Sequence, residues 1–301
     1  MTITSVEPFL KKAKKENKTL GQIMIDHEAS IQQVKSEEVT DAMRKIWIVM
    51  VNAIKQGIAI TERSPSGLSG GDAQKLIQRG TDDKRLSGGT ILRVTARAIG
   101  VGEYNSSMGT IVAAPTAGSS GVVPAVVFTA AERCNANEET IVRGLFASSL
   151  IGLVCDAIAS TSGSEHGCQA EIGVSAAMAA AAAVEIAGGT AFEAVNAAAL
   201  VLKNSLGLAC DPIAGLVEVP CIKRNGFMSA AALVAADMSM CGIKSVVPFD
   251  DVVAAMNEIG HLMPCSIKET SEGGLAATKT GKKYKKWLKD EGKRQLVSTD
   301  H

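Results

Sequence analysis

The sequence GSEHGCQAEIG, residues 163–173, opens the stretch that decides the fold. It continues with VSAAMAAAAAVEIAGGTAFEAVNAAALVL (174–202) and ends with GLACDPIAGLVEVPCIKRNG (207–226). The middle part is long enough for a membrane span, but two glutamates and an asparagine interrupt it, and alanine adds little transfer free energy. We therefore expect two buried helices, broken at the pair Gly188 and Gly189.

The composition of the whole chain favours the same kind of packing. The chain has 301 residues and 46% hydrophobic content, which is enough to bury a large core. Aromatic residues make up only 3%, whereas a β-sandwich would be rich in aromatic and β-branched side chains. The sequence therefore predicts an all-α fold of closely packed helices.

The charge balance and the N-terminus indicate where such a protein would work. Lysine plus arginine and aspartate plus glutamate each total 31, so the chain has no positive field that would attract nucleic acid. The first residues, MTITSVEPFLKKAKKENK, lack an apolar core followed by a small-residue cleavage site. We expect a cytoplasmic protein with neither nucleic acid nor membrane as a partner.

The chain shows no repeat and no proline- or serine-rich linker, so a single domain, 1–301, is predicted. Within it, residues 1–60 form an outer helical layer, because apolar residues recur at helical spacing and Gly57 supplies a stop. Residues 61–281 form the core that carries the site. Residues 282–301 are a basic tail, which we expect to be a solvated helix or a frayed end without a function of its own.

Three segments are too rich in glycine to be helix interiors and are predicted as loops: SPSGLSGGDA (64–73), LSGGT (86–90) and AAPTAGSSGVVP (113–124). For the first two, composition alone favours an ordinary surface connection over a ligand site. The third opens an apolar helix, and free backbone N–H groups at a helix start suit an anion such as a carboxylate. It lacks the lysine of a P-loop and the spacing of a dinucleotide site.

Cys168, Cys210 and Cys221 lie in breaks marked by glycine or proline. They form no C-x-x-C pair, which disfavours structural zinc. Three thiolates from separate loops suit an iron–sulfur cluster and would leave one iron without a protein thiolate. From these features alone, inert buried or partly exposed thiols are the favoured interpretation. Cys168 stands at the predicted start of a helix, where the dipole stabilises a thiolate.

The other cysteines are interpreted differently. Cys155 lies on an apolar helix, where a cysteine is usually a small hydrophobic residue, and Cys134 and Cys241 are expected to be buried core thiols in the same way. Cys265 is expected to be a structural thiol near the site.

The strings GSEHGCQAEIG, CDPIAGLVEVPC, AAPTAGSSGVVPA and PCSIKETSEGGLAAT strongly resemble the α chain of the iron–sulfur-dependent L-serine dehydratases. In the bacterial type that these strings resemble, the α and β parts can be separate polypeptides. The resemblance runs from the SPSGLSGG loop to the GGLAAT loop, which is nearly the whole chain.

The resemblance implies a helical α chain that holds a 4Fe-4S cluster through Cys168, Cys210 and Cys221. L-serine would bind the remaining iron through its hydroxyl and carboxylate groups. Loss of the α proton and of hydroxide gives aminoacrylate, which yields pyruvate and ammonia. No pyridoxal phosphate is expected, and the partner would be a β chain in an α/β hetero-oligomer.

The resemblance also directs attention to particular residues. Two loops are suited to the serine carboxylate, and the residues expected to contact it are Ser64, Ser66, Gly67, Thr116, Ala117, Gly118 and Ser119. The general base is not determined by the sequence. The candidates are His166, Glu165, Glu171, Lys268 or a group from the β chain.

Two other functions remain open at this stage. An L-cysteine desulfidase of the same superfamily would expel sulfide instead of water from a similar cluster. A non-catalytic cluster protein would carry electrons or sense redox state, but such carriers usually give every iron a cysteine, and three cysteines argue against that role.

Overall fold

The computed structural model describes residues 2–80 and 85–298, with side chains as far as residue 290. The described residues form α-helices joined by short turns, without a β-strand among them. The prediction of an all-α fold is confirmed. In chain order the helices are α1 (Glu7–Glu16), α2 (Leu20–Gln32), α3 (Ser36–Ala59), α4 (Asp72–Arg79), α5 (Gly88–Ser106), α6 (Val122–Cys134), α7 (Glu138–Ile158), α8 (Gly163–His166), α9 (Val174–Ile186), α10 (Ala191–Lys203), α11 (Cys221–Met240), α12 (Phe249–Leu262) and α13 (Lys279–Ser298).

Helix α9 lies at the centre of the molecule. Every residue of this helix except Met178 is buried, and α6, α7, α10 and α11 pack around it. Alanine permits this because its small side chain lets neighbouring backbones approach closely and loses no rotamer freedom on burial. On α7, a Cβ added to Gly144 would lie 3.2 Å from the Ala182 carbonyl oxygen, so this crossing accepts only glycine without rearrangement.

The break between the two alanine-rich helices is found where it was expected. Helix α9 ends at Ile186 and α10 begins at Ala191, with Gly188 at φ +81° between them. Thr190 then caps α10, since its hydroxyl accepts from the Glu193 backbone N–H and the Glu193 carboxylate accepts from the Thr190 N–H.

Two helices are long and apolar enough to cross a membrane by length and composition alone. They are α7 and the continuous helical segment 169–186, and their most apolar windows are 61% and 89% buried within the protein. Their apolar residues are therefore largely covered by other helices of the same chain.

The first sixty residues contain α1, α2 and α3, of which α2 is deeply buried and packs on α7. Gly57 is predicted to end α3, but the helix continues to Ala59. A Cβ on Gly57 would lie 2.1 Å from the Gly100 carbonyl oxygen, so Gly57 is the point where α3 crosses α5. The prediction was wrong because a glycine within a helix can serve close packing as well as termination.

Two further predictions need correction. The loop predicted at residues 86–90 is shorter, because α5 already begins at Gly88. Cys134 and Cys241 are exposed rather than buried. Cys134 is the last residue of α6 and Cys241 follows the last residue of α11, so both lie at helix ends that reach the surface. Cys155, within α7, is buried as expected.

The predicted basic tail belongs to α13, a helix that begins at Lys279. It packs against the short 3-10 turns Ile213–Gly215 and Gly274–Ala277. A Cβ added to Gly67 would lie 3.3 Å from the ring of Trp287 on this helix. Helix α13 is thus attached to the loops around the candidate site, and is not only a solvated end.

Candidate functional site

Cys168 is placed by a sharp turn between two helical segments. Gly167 before it has φ +72°, and a Cβ there would lie 2.9 Å from the Leu208 carbonyl oxygen. Only glycine fits such a conformation and approach without strain. Cys168 then leads into a π-helical turn, Gln169–Gly173, which runs into α9. The expectation that Cys168 stands at a helix start is confirmed, and π-turns of this kind frequently mark functional sites.

Cys210 is held by a short backbone pairing with the KET segment near the C-terminus. The Cys210 N–H donates to the Ile267 carbonyl at 2.9 Å, and the Glu269 N–H donates to the Cys210 carbonyl at 2.7 Å. Glu269 has φ +66°, which is unusual for a residue other than glycine. Such backbone strain persists only where the surrounding structure fixes it, and it clusters at functional sites.

Cys221 is the first residue of α11, directly after Pro220. A helix N-terminus lowers the pKa of a thiol, whereas burial raises it. Burial is the larger effect here and raises the pKa of Cys221 to about 12. The nearby Arg224 lowers this pKa, but by less than burial raises it.

The three thiols lie in one buried region. The exposed fractions of Cys168, Cys210 and Cys221 are 0%, 2% and 6%. The proximity of the two thiols lowers the pKa of Cys168 and raises the pKa of Cys210. Cys221 is close enough to contribute to the raised pKa of Cys210, and Cys168 in turn contributes to the raised pKa of Cys221.

Arg224 supplies positive charge at this place. It lies one helical turn after Cys221 on α11, donates to the Ala209 carbonyl at 2.7 Å and to Asp211 at 3.0 Å, and lowers the pKa of Cys168. Asp211 also accepts from the Leu275 N–H at 2.8 Å. These contacts connect Arg224 with the residues on both sides of Cys210 and, through Asp211, with Leu275.

The donor set decides what kind of group could fit among these residues. Among the side chains described, those of residues 2–80 and 85–290, no group of three or more from His, Cys, Asp and Glu is arranged to hold a metal ion. An iron–sulfur cluster is larger than one ion, so its thiolates need not approach one another so closely, and its charge is balanced by nearby donors. Three buried thiols beside the half-buried guanidinium of Arg224 fit such a cluster.

Glu171 connects the thiols with the glycine-rich loop at 116–119. Its carboxylate accepts from the Thr116 hydroxyl at 2.8 Å and from the Cys210 thiol at 3.5 Å. Burial raises the pKa of Glu171, which favours its protonated form. A Cβ on Gly118 would lie 3.5 Å from the Glu171 carboxylate, so the loop passes directly over it.

Asn225 holds the same loop from the other side. Its amide donates to the Gly118 carbonyl at 2.7 Å, and its oxygen accepts from the Gly121 N–H at 2.9 Å. Ala117 and Ser119 form the 3-10 turn between these contacts, with Ala117 exposed and Ser119 buried. The predicted carboxylate-binding residues of this loop are therefore connected to the thiols by Glu171, which contacts both Thr116 and Cys210.

The second predicted loop, at 64–67, faces a different carboxylate. Ser64 and Ser66 donate to Glu218 at 2.7 and 2.5 Å. Glu218 lies between Cys210 and Cys221 in sequence, so this loop too is attached to the cysteine segment. Gly67 at φ +73° turns the chain at the loop tip.

The remaining candidates for a general base are placed apart from this arrangement. His166 is buried with its ring toward α12, where its Nε2 lies 2.8 Å from the Asn257 amide oxygen and its ring 5.0 Å from that of His261. Glu165 is exposed and Lys268 is half-buried. Glu171 is the candidate that directly contacts both a cysteine and the 116–119 loop.

Four residues of the site were missed by reasoning from the sequence: Asp211, Glu218, Arg224 and Asn225. Arg224 and Asn225 had a usable signal, since a helix beginning at Cys221 brings positions three and four further along onto the same face. Glu218 had none, because its partners lie about 150 positions away.

The chain was compared with known proteins. The family model described as serine dehydratase alpha chain matches residues 15–276. The probable L-serine dehydratase alpha chain of Bacillus subtilis is 44% identical over 283 residues, covering 94% of each chain. The L-serine dehydratase alpha chain of Peptoniphilus asaccharolyticus is 39% identical over 270 residues, covering 90% of this chain and 92% of that protein.

This chain is also similar to a part of a longer protein. The L-serine dehydratase of Streptomyces coelicolor is 35% identical over 277 residues, which are 90% of this chain but only 60% of that protein.

Proposed function

This chain belongs to the family of serine dehydratase alpha chains, and on that premise we propose that it takes part in the elimination of water from L-serine to give pyruvate and ammonia. The reaction is that of a carbon–oxygen lyase. The observation that carries the proposal is the meeting of three buried thiols beside the 116–119 loop, joined to it by Glu171.

Cys168, Cys210 and Cys221 are the residues that would hold a 4Fe-4S cluster. Bound by three thiolates, such a cluster supplies an iron with a free coordination position, which acts as a Lewis acid. Arg224 balances negative charge at Cys168, and the low exposure of all three thiols excludes water from their surroundings.

The residues around the thiols supply binding and proton transfer. The 116–119 loop offers the backbone N–H groups of Ala117 and Gly118 at the start of its 3-10 turn, and such groups suit the substrate carboxylate. Glu171 lies between this loop and Cys210 and has a raised pKa, which suits a group that takes a proton from Cα and holds it.

A β chain is the proposed partner. The longer Streptomyces relative has about 40% of its length outside the region similar to this chain, and a separate β chain would correspond to that remainder. We keep cytoplasm as the predicted compartment.

The test uses the chain purified without oxygen, reconstituted with iron and sulfide and mixed with its β chain. We expect iron and sulfide to be retained, and to be lost in the variants Cys168→Ser, Cys210→Ser and Cys221→Ser. Cys155→Ser is the matched control, because Cys155 is equally buried but lies on α7. Retention of iron in all three variants would exclude this cluster site.

The product identifies the reaction. Pyruvate formed from serine supports dehydration, whereas sulfide released preferentially from cysteine would indicate a desulfidase. A cluster whose spectrum does not respond to serine would indicate an electron carrier or a redox sensor.

A further inference from the structure

Glu218 is a buried carboxylate whose described partners are hydroxyl groups from a distant part of the chain. It accepts from Ser64 at 2.7 Å, from Ser66 at 2.5 Å and from Ser69. Its exposed fraction is 6%. Three hydroxyl donors satisfy one carboxylate without a cation, and hydrogen bonds to an ionised group are the strong ones.

These bonds close the loop 64–69 around the carboxylate. The Ser64 N–H donates to the Ser69 carbonyl at 2.9 Å, the Gly67 N–H to the Ser64 carbonyl at 2.8 Å, and the Leu68 N–H to the Ser66 hydroxyl at 3.1 Å. The backbone turn and the carboxylate therefore support each other. Removing the carboxylate would leave the hydroxyls of the loop without their common acceptor.

The position of Glu218 in the chain gives this contact a wider meaning. Glu218 stands three residues before Cys221, and its carbonyl accepts from the Ile222 N–H at 3.0 Å at the start of α11. Glu218 thus contacts the loop 64–69 through its side chain, and it contacts α11, the helix that begins with Cys221, through its backbone.

We propose that Glu218 is a positioning residue: it fixes the loop 64–69 against the segment that carries Cys210 and Cys221, so that the loop meets the substrate in one conformation. The proposal rests on the proposed function for the identity of the substrate as serine. A loop held in its bound conformation before binding costs less ordering entropy when the ligand arrives.

The first experiment measures backbone hydrogen exchange in the isolated chain, without a cluster or substrate. In Glu218→Ala we expect the amides of Ser64, Gly67 and Leu68 to exchange about tenfold faster. Glu218→Gln keeps one acceptor, so its loop amides should exchange at a rate between those of the unmodified protein and of Glu218→Ala. Glu185→Gln is the control, since Glu185 is similarly buried but contacts α2.

Ser69→Ala provides a second and smaller change. Ser69 is fully buried, so it contacts Glu218 without being available to a substrate. Faster exchange confined to the loop in this variant supports the proposal even when Glu218→Ala fails to fold. Unchanged loop exchange in Ser69→Ala and Glu218→Gln overturns it, as does faster exchange spread evenly over the chain.

The second experiment measures serine kinetics with the β chain present. Glu218→Ala and Ser69→Ala should raise the serine KM about tenfold, with a smaller change in kcat, and Glu218→Gln should restore part of the loss. A loss confined to kcat overturns a positioning role. If the unmodified protein does not dehydrate serine, the proposed function fails, and the exchange experiment alone then decides the role of Glu218 in the loop.

Discussion

At the scale of single residues, Glu171 and Thr116 give the site its most informative contact. The Thr116 hydroxyl and the Cys210 thiol both donate to the Glu171 carboxylate, so the 116–119 loop and a thiol meet at one carboxylate. Their proposed tasks differ, because Thr116 belongs to the loop that binds and Glu171 is the group that moves a proton.

This difference predicts opposite kinetic effects. Glu171→Gln keeps an acceptor for Thr116 but cannot take a proton, so kcat should fall about 100-fold or more with little change in KM. Thr116→Ala removes a loop contact and should raise the serine KM several-fold at similar kcat. Steady-state kinetics with the β chain measure both.

Iron content serves as the control for both variants and should stay that of the unmodified protein. A Glu171→Gln enzyme with normal kcat would show that the base lies elsewhere, for example on the β chain.

Cysteine positions could be proposed from the sequence because breaks with glycine and proline distinguish Cys168, Cys210 and Cys221 from cysteines on apolar helices. The contacts of Glu218 could not, since a carboxylate can accept from many different donors and only the fold selects them. The same limit applies to His166. It lies two positions before Cys168 in the sequence, but this does not predict that its ring faces α12.

At the scale of elements, Glu185 shows how a buried carboxylate fixes a helix. It lies on α9 with an exposed fraction of 3%, and accepts from the Gly21 N–H at the start of α2 at 3.2 Å. The Arg143 guanidinium is 3.8 Å away, too far for a hydrogen bond. The start of α2, which has no acidic residue of its own in the first turn, is thus supported from α9.

We expect Glu185→Ala to lower the free energy of unfolding by about 1–3 kcal/mol, because a buried N–H group loses its acceptor. Glu185→Gln keeps an acceptor and should lose less. Urea denaturation of the isolated chain measures both.

The pH dependence has a definite sign. Burial raises the pKa of Glu185 above its ordinary value of 4.5, so its favourable contribution is complete below that value and is lost as pH rises through the folded pKa. The unmodified protein should therefore gain stability relative to Glu185→Gln when the pH is lowered from neutral toward 4.5. The only partly buried Glu193 gives the control variant Glu193→Gln, and an equal gain there would contradict the assignment to burial.

The helices of residues 1–60 and the two alanine-rich helices were predictable from periodicity and composition, but helix ends were not. Gly57 suggests a helix stop by its local sequence, although the close approach of α5 explains it better. Gly88 and Gly89 suggest a loop, although they form the first turn of α5. Glycine serves both purposes, and local sequence does not state whether another backbone passes nearby.

At the scale of the whole molecule, the all-α architecture was predictable because an alanine-rich core with few aromatic residues favours helices that pack closely. How those helices are arranged was not predictable from the residues alone. The placement of α9 at the centre and of α13 across the loop at residue 67 depends on contacts between segments far apart in the chain.

Activity should depend on a second chain. Large apolar side chains are exposed on helices of the site, including Phe227 on α11 and Leu262 at the end of α12, and a partner would bury such groups. We expect the isolated chain to form little pyruvate and the mixture with the β chain to form at least tenfold more. Activity assays and size measurements of each chain and the mixture decide this; full activity of the isolated chain would contradict it.

The contact between Trp287 and Gly67 gives this protein an optical property. The chain has two tryptophans. Trp47 on α3 is buried beside Phe128. Trp287 lies beside Gly67 in the loop 64–69, and 44% of its surface is exposed. Because indole emission shifts with the polarity around the ring, light emitted by the second tryptophan varies with the distance between α13 and the loop. Fluorescence can therefore follow the loop in real time without an added dye.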